Sequence, residues 1–139
     1  MKSYEANKKS DYEYISNLLN PDNTKYLLVK RVSPLEIISD HSNDKKYFII
    51  KNNKKLIGYY NIFLSKNKKT ARVALIIDKP YRGKGFGLKT MMDIEKRAKK
   101  YGVKILKLDV LMDNIVAINL YNKIGFKETH KILFMEKKI

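Results

Sequence analysis

The spacing of hydrophobic and polar positions predicts alternating helices and strands in the first half of the chain. Residues 8–20 place apolar side chains at helical spacing, and the Asn20-Pro21 pair ends that helix. The segment 33–36, Ser-Pro-Leu-Glu, has the pattern of a capping box with proline in the first turn, which predicts a short helix through about Ser39. Strands are predicted where apolar residues are dense, at residues 25–32, 47–51, 55–64 and 71–78.

The second half has longer amphipathic segments with glycines at their ends. Residues 87–101 are apolar on one side and mostly basic on the other, which predicts a helix, and Gly102 provides its C-terminal stop. The remaining predicted elements are a strand at 103–111, a helix at 114–124 stopped by Gly125, and strand-like material at 126–138 with a tight hairpin around His130-Lys131. This order predicts an α/β (α+β) fold with a mixed, mostly antiparallel central sheet flanked by helices.

Composition predicts one globular domain in a reducing compartment. A chain of 139 residues with 44% hydrophobic content can bury a core without crosslinks. It has no cysteine, which excludes disulfides, thiolate metal sites and a cysteine nucleophile. The first residues lack the apolar stretch of a signal peptide, and the longest aliphatic run, 73–77, is too short to span a bilayer. We therefore expect a cytoplasmic protein without a membrane partner. No histidine or carboxylate cluster has metal-ligand spacing, so no metal is expected.

The net charge of +16 raises the question of a polyanionic partner. Thirty basic residues face fourteen acidic ones, but only four of the thirty are arginines and the lysines are spread along the whole chain. Arginine is the preferred side chain for phosphate and base recognition. A general lysine bias is therefore the favoured interpretation, and nucleic acid is not an expected partner. A lysine-rich nucleic-acid-binding protein stays as an alternative.

A glycine-rich segment lies between the predicted strand 71–78 and the helix that follows. Residues 82–87 read Arg-Gly-Lys-Gly-Phe-Gly. Glycines let backbone N–H groups converge on phosphate oxygens, and a helix N-terminus adds partial positive charge. The segment fits neither the Walker pattern nor Gly-x-Gly-x-x-Gly, because Leu88 occupies the last position. Taken alone, it is either a phosphate cradle or a flexible turn.

Two motifs in this half resemble the GCN5-related N-acetyltransferase (GNAT) family. Residues 82–87 match its acetyl-CoA pyrophosphate loop, Arg/Gln-x-x-Gly-x-Gly/Ala, and residues 114–126 match its Asn-x-x-Ala-x-x-Leu-Tyr-x-x-x-Gly-Phe stretch. The resemblance covers roughly Leu56 to the C-terminus. It implies a sheet splayed at the cofactor strand and an acetyl-CoA-dependent N-acetyltransferase that uses direct attack in a ternary complex. The co-substrate is then acetyl-CoA and the other partner is an amine acceptor.

The same resemblance implies the roles of individual residues. The cofactor-binding positions are Leu75, Ile76, Ile77, Arg82, Gly83, Lys84, Gly85, Phe86, Gly87, Leu88, Asn114 and Tyr121. The strand backbone would bind the pantetheine arm and supply an N–H for the oxyanion, and the amides of 83–88 would bind the pyrophosphate. Tyr121 matches the tyrosine that protonates the CoA thiolate, since a phenol with a pKa of about 10 is protonated at neutral pH. The alternative for Tyr121 is a core tyrosine.

The general base and the acceptor are less defined by the pattern. Asp109 occupies the position where the ribosomal-protein N-terminal acetyltransferases carry a glutamate, and its alternative role is a surface ion pair with Lys107. Asp78 is a weaker candidate. Residues before the recognisable region that could approach the acceptor are Glu5, Glu13, Glu36, Asp40 and His41. His41 and His130 are expected to be ordinary surface residues.

The acceptor side departs from the family pattern in the sequence. Only about fifteen residues separate the predicted strands 25–32 and 47–51, so either the pocket wall is abbreviated or the predicted helix 8–20 substitutes for it. The expected division of the single domain, 1–139, is a helical extension (1–24), an acceptor-side half (25–70) and an acetyl-CoA-binding half (71–139).

The expected acceptor is a protein N-terminus or lysine, or a small amine or amino sugar, and the positive charge favours anionic acceptors over polyamines. The alternative is a catalytically idle CoA-binding regulatory protein. The chain is expected to be a monomer or a homodimer.

Overall fold

The computed structural model describes residues 1–24 and 32–139, which form a sheet with helices packed on it. The strands are β1 (Lys2–Glu5), β2 (Lys45–Asn52), β3 (Lys55–Leu64), β4 (Thr70–Ile77) and β5 (Ile105–Lys107). The helices are α1 (Lys9–Leu18), α2 (Pro21–Thr24), α3 (Pro34–Asp40), α4 (Phe86–Lys100) and α5 (Ile115–Lys123), with a 3-10 turn at Lys79–Tyr81. The predicted strand 25–32 falls outside the described residues except for Val32, which lies in no helix or strand.

The sheet has the strand order β1-β2-β3-β4-β5. The first four strands are antiparallel to their neighbours, whereas β4 and β5 are parallel. A parallel pair needs a crossover connection, and α4 supplies it between β4 and β5. The predicted mixed, mostly antiparallel sheet is therefore confirmed.

The alternation of side chains along the strands builds a core on each face of the sheet. On one face, α4 packs against the sheet through a cluster of buried apolar residues, Phe48, Ile50, Ile57, Tyr60, Ile62, Met91, Ile94 and Ala98. On the other face, α1 and α3 cover a second cluster, Ile15, Leu18, Leu19, Ile37, Tyr47, Ile49, Tyr59 and Ile76. Strand β4 contributes to both cores, which fixes the position of the strand that leads to the glycine-rich segment.

The sequence analysis missed the edge strand β1. Residues 2–5 pair antiparallel with residues 48–51 of β2, and Arg97 Nη2 on α4 donates to Ser3 O at 3.0 Å. The strand is polar and is held by backbone pairing, so its hydrophobic pattern gives no signal. Because β1 precedes α1, α2 and α3, three helices lie between the first two strands of the sheet. The predicted helix 8–20 is observed as α1 and is one of the three, so this connection is not abbreviated.

Local signals at the helix ends were read correctly. Ser33 Oγ accepts a hydrogen bond from Glu36 N at 3.2 Å, and Glu36 Oε1 accepts one from Ser33 N at 3.4 Å, which completes the predicted capping box of α3. Gly102 has a left-handed φ of 85°, as the stop after α4 requires.

The C-terminal strands were overpredicted. Of the predicted strand 103–111 only Ile105–Lys107 pairs in the sheet, and residues 126–139 contain no strand, so the expected hairpin around His130-Lys131 is not formed. The apolar side chains of 132–135 are 65–87% exposed. A β-strand forms only where another strand pairs with it, and the composition of a segment does not identify its pairing strand. Among the described residues, no helix has the length and apolarity needed to cross a bilayer.

Candidate active site

The cleft of interest begins where the parallel strands β4 and β5 stop pairing. Their register ends at Arg72 and Lys107, and no described residue of β5 pairs with β4 beyond that point. On its other side β4 remains paired with β3 as far as Ile77. Residues 73–77 therefore turn one backbone edge toward an opening, where N–H and C=O groups need partners.

The turn after β4 presents main-chain donors at the start of α4. Gly83 and Gly85 have left-handed φ values of 75° and 82°, and a Cβ placed at either glycine would meet nothing within 4 Å. In the described backbone, no carbonyl accepts a hydrogen bond from the amides of 83–85. The first amides of α4, at 86–88, also lack acceptors inside the helix, as every helix start does. This arrangement binds anions through backbone N–H groups.

The cationic side chains of the turn have different surroundings. Arg82 donates from Nε to Ile77 O at 2.9 Å and from Nη2 to Asn23 Oδ1. Lys84 lines a hollow of about 520 Å³ beside the turn, together with Lys54 and Lys55. Three lysines around one hollow raise the local concentration of anionic ligands at this end of β4.

Helix α5 brings the second sequence motif against the glycine turn. Leu120 Cδ2 lies 3.4 Å from a Cβ placed at Gly87, so the two motifs meet in the fold. The next residue, Tyr121, is half-buried, and its ring centroid lies 5.7 Å from that of Phe126. Burial raises the pKa of Tyr121 above its usual value of 10.0, so the phenol is protonated at neutral pH. A protonated phenol is the state that a proton donor requires.

Asn114 has a structural role at the start of α5. Its Oδ1 accepts a hydrogen bond from Ala117 N at 3.3 Å and caps the helix that carries Tyr121. Its Nδ2 donor has no hydrogen-bond partner in the part of the chain described here. The cofactor contact expected for Asn114 stays a prediction, and only Nδ2 is available for it.

Asp109 is part of an ion pair, but its partner is not Lys107. Arg72 Nη1 lies 2.7 Å from Asp109 Oδ1, and the two side chains are 54% and 48% exposed. The partner comes from the neighbouring strand β4, which a single-strand argument could not identify.

Asp78 acts as a cap rather than as a free carboxylate. Its Oδ1 accepts hydrogen bonds from Lys79 N at 3.0 Å and from Asn23 Nδ2 at 3.2 Å. It therefore fixes the 3-10 turn between β4 and the glycines. Within residues 1–24 and 32–139, no group of three or more histidine or carboxylate side chains is placed to hold a metal ion.

Comparison with known proteins identifies the family. A family model described as the Acetyltransferase (GNAT) family matches residues 12–126. The chain belongs to the GNAT family. The spermine/spermidine N(1)-acetyltransferase of Bacillus subtilis (strain 168) is 34% identical over 92 residues, 60% of this chain and 60% of that protein. The uncharacterized N-acetyltransferase YycN of the same organism is 37% identical over 60 residues, 43% of this chain and 37% of that protein. The chain thus spans 37–60% of the length of these curated relatives.

Solved GNAT structures share the whole fold. The spermidine N-acetyltransferase from Vibrio cholerae, in complex with CoA and spermine, superposes with a TM-score of 0.82 at 22% identity, over 93% of this chain and 82% of that chain. At 22% identity, this likeness shows the fold. The residue roles expected from the GNAT resemblance stay predictions.

The sequence analysis missed a polar cluster on the acceptor side of this GNAT domain. His41 Nδ1 lies 2.8 Å from Tyr12 Oη, and His41 Nε2 lies 2.9 Å from Glu5 Oε1. The His41 side chain is only 13% exposed, so the expected surface role was wrong. Its partners are 29 and 36 residues away in sequence, and no local pattern connects them.

The other acidic residues expected near the acceptor have partners within the fold. Glu13 lies 3.8 Å from Lys9, Glu36 belongs to the capping box, and Asp40 accepts hydrogen bonds from Tyr47 at 2.7 Å and from Lys45 at 2.9 Å. The structure does not gather these side chains into one site. Within the described residues, these side chains therefore do not define an acceptor site.

Proposed function

We propose that the chain is an acetyl-CoA-dependent N-acetyltransferase that transfers an acetyl group to a primary amine by direct attack in a ternary complex. The observation that carries this proposal is a continuous row of main-chain groups. The open edge at 73–77 is followed, after the 3-10 turn Lys79–Tyr81, by the glycine turn and the first turn of α4. A strand edge suits the amide-bearing arm of coenzyme A, and the turn suits its diphosphate. Membership of the GNAT family implies the same donor.

The residues present fit acetyl-CoA as the co-substrate. The backbone of 75–77 would bind the pantetheine arm, and the amides of 83–88 would bind the diphosphate. The open space at Gly83 and Gly85 supports this assignment, since a side chain at either position would occupy the volume beside those amides. Lys84 is placed to add a positive charge to the diphosphate site. The co-substrate supplies the activated acetyl thioester.

Tyr121 is the proposed general acid. Its half-buried phenol is carried by the helix that touches the glycine turn, and the neighbouring Phe126 ring restrains it. Burial raises its pKa, so Tyr121 keeps its proton until the thiolate leaves. The upper pH limit of activity set by Tyr121 is therefore expected above the ordinary tyrosine pKa of about 10.

Asp109 is proposed as the base only in a form that has released Arg72. The 2.7 Å ion pair means that the carboxylate has to exchange the guanidinium for the acceptor ammonium or a bridging water. A primary alkyl amine resembling lysine, with a pKa near 10.4, is neutral in only about one molecule per thousand at pH 7. Deprotonation of the acceptor is therefore expected to limit the rate at neutral pH.

The distribution of charge supports a small polycationic amine as the acceptor. Residues 1–44, which include the three helices of the acceptor side, have six basic and seven acidic residues and a net charge of −1. The other 95 residues have 24 basic and seven acidic residues and a net charge of +17. The excess positive charge thus lies outside residues 1–44, so helices α1, α2 and α3 do not add to the repulsion of a cation. A relative of this chain is named a spermine/spermidine N(1)-acetyltransferase, and we propose a polyamine acceptor for this chain as well.

A thiol-release assay with acetyl-CoA tests the activity and the acceptor together. The panel contains spermine, spermidine, a lysine peptide, a free-N-terminus peptide and an amino sugar. We expect kcat/KM for a polyamine to exceed the others at least tenfold. Asp22→Asn, on helix α2, is expected to raise KM for spermine, whereas Glu95→Gln on α4 serves as the control. A better peptide or sugar acceptor would overturn the polyamine proposal, and no thiol release with any amine would overturn the enzyme.

A further inference from the structure

A buried asparagine joins the acceptor-side helices to the glycine turn. Asn23 lies in α2 and is 7% exposed. Its Nδ2 donates to Leu18 O, at the C-terminal end of α1, at 2.9 Å, and to Asp78 Oδ1 at 3.2 Å. These two acceptors fix the orientation of the side-chain amide. Its Oδ1 is consequently turned to Arg82 Nη2, the first residue of the glycine motif.

The same network is anchored at both ends. Asn20 Oδ1 accepts a hydrogen bond from Asn23 N at 3.0 Å, which holds α2 against the end of α1. Arg82 also donates from Nε to Ile77 O at 2.9 Å, which ties its guanidinium to the last residue of β4. One buried amide thus connects the end of α1, the end of the cofactor strand and the start of the diphosphate turn. The connection spans 59 residues of sequence.

We propose that Asn23 is a positioning residue that couples the diphosphate turn to the acceptor-side helices. This inference rests on the proposed function, because it assigns the turn to coenzyme A. Arg82 itself is exposed, so it has no rigid packing of its own and takes its position from Ile77 and Asn23. When a diphosphate fixes the turn, Arg82 holds Asn23, and Asn23 holds the junction of α1 and α2. Binding of the diphosphate at the turn then orders the junction of α1 and α2. By thermodynamic linkage, ordering of this junction strengthens binding at the turn by the same factor.

Hydrogen exchange with CoA as the only ligand tests the coupling without knowledge of the acceptor. In the wild-type protein at saturating CoA, amide exchange is expected to slow at residues 83–88, in the turn, and at 18–24, in the junction. In Asn23→Ala the slowing at 83–88 is expected to remain, while the slowing at 18–24 is lost. Asn17→Ala is the control, because Asn17 is exposed on the neighbouring helix α1 and its side chain forms no hydrogen bond with the described residues.

A second variant separates coupling from folding. Asn23→Ala leaves Leu18 O without its donor, so the junction is expected to be looser even without CoA. Arg82→Ala breaks the same connection from the exposed end and leaves the bonds of Asn23 to Leu18 and Asp78 in place. It is expected to abolish the CoA-dependent change at 18–24 while its exchange there without CoA equals that of wild type.

The outcomes distinguish this inference from the proposed function. Protection of 83–88 without protection of 18–24 in wild type would overturn the coupling and leave the CoA site intact. Protection of 18–24 that persists in both variants would also overturn it. If CoA neither binds by calorimetry nor protects 83–88, the proposed function fails and this inference fails with it.

Discussion

Because Gly58 on β3 has no side chain, strand β4, the proposed cofactor strand, can lie close to β3. Replacing Gly58 should therefore lower the stability of the fold and weaken CoA binding. Gly58 faces Ile77 in the β3–β4 register. A Cβ at this position would lie 2.2 Å from Ile76 O and 3.2 Å from Ile76 C and Ile77 Cα. All three contacts are to backbone atoms, so no side-chain rotation relieves them. In Gly58→Ala, β4 has to move away from β3, and the backbone edge proposed to bind the pantetheine arm moves with it.

The magnitude follows from two opposing effects. Overpacking in a well-packed region destabilises by about 1–3 kcal/mol, and contact with rigid backbone places this site at the upper end. Replacing glycine by alanine in a strand returns about 0.5–1 kcal/mol of unfolded-state entropy. The free energy of unfolding should therefore fall by about 2 kcal/mol. For a chain of this size, that corresponds to a Tm lower by about 4–8 °C.

Urea denaturation, thermal melting and CoA titration calorimetry measure the two effects of Gly58→Ala. Gly87→Ala is the control for stability, because its Cβ would meet only Leu120 Cδ2, at an ordinary 3.4 Å. That variant should match wild type or gain up to about 1 kcal/mol from helix propensity. An unfolding free energy for Gly58→Ala within about 0.5 kcal/mol of wild type would refute the argument that β4 is held by contact with a glycine.

Three further changes test the site and its support. Tyr121→Phe should lower kcat by about 10²–10⁴-fold, as loss of a general acid does, with CoA affinity by calorimetry unchanged; equal turnover would remove Tyr121 from the mechanism. Gly85→Asp should abolish CoA binding, because the residue adopts a φ of 82° and the added carboxylate faces the diphosphate site; unchanged affinity would contradict the cradle. Burial acts to raise the pKa of Asp93, but hydrogen bonds from Ser3 and Tyr60 and a nearby arginine lower it overall. At pH values above the unfolded-state pKa of about 3.9, the Asp93 carboxylate therefore increases the free energy of unfolding. This contribution is lost as the pH falls through the lower pKa that Asp93 has in the folded protein. Asp93→Asn should reduce that acid dependence in urea melts across pH 2–7.

The elements predicted well are those whose signals are local. Helix α4 has an amphipathic stripe and a glycine stop, and α3 has a complete capping box, so each was located within one or two residues of its observed bounds. Strands β2, β3 and β4 are apolar enough to form both cores and were also predicted. In each case the residues that identify the element lie within the element.

The elements predicted poorly depend on a distant partner. Strand β1 is polar and exists because β2 pairs with it, and the apolar run at 132–135 remains exposed because no described strand pairs with it. The ion pair of Asp109 with Arg72 joins the segment after β5 to strand β4, whereas the pattern suggested Lys107 as the alternative partner. Hydrophobic pattern reports what a segment can bury, whereas pairing is decided by the rest of the chain.

The same distinction explains why the two halves of the site differ in how far they can be predicted. The diphosphate turn is made of backbone amides, and its requirement for left-handed φ values leaves a glycine pattern in the sequence. The proposed acceptor side is made of side chains from β1, α1, α2 and α3, and its contacts include pairs such as His41 with Glu5, which are 36 residues apart. Glycine motifs therefore identify the donor, whereas the acceptor depends on charge and shape that only the folded chain assembles. Asn23 shows how the halves meet, because its bond to Arg82 links a residue with no motif to the first residue of the clearest one.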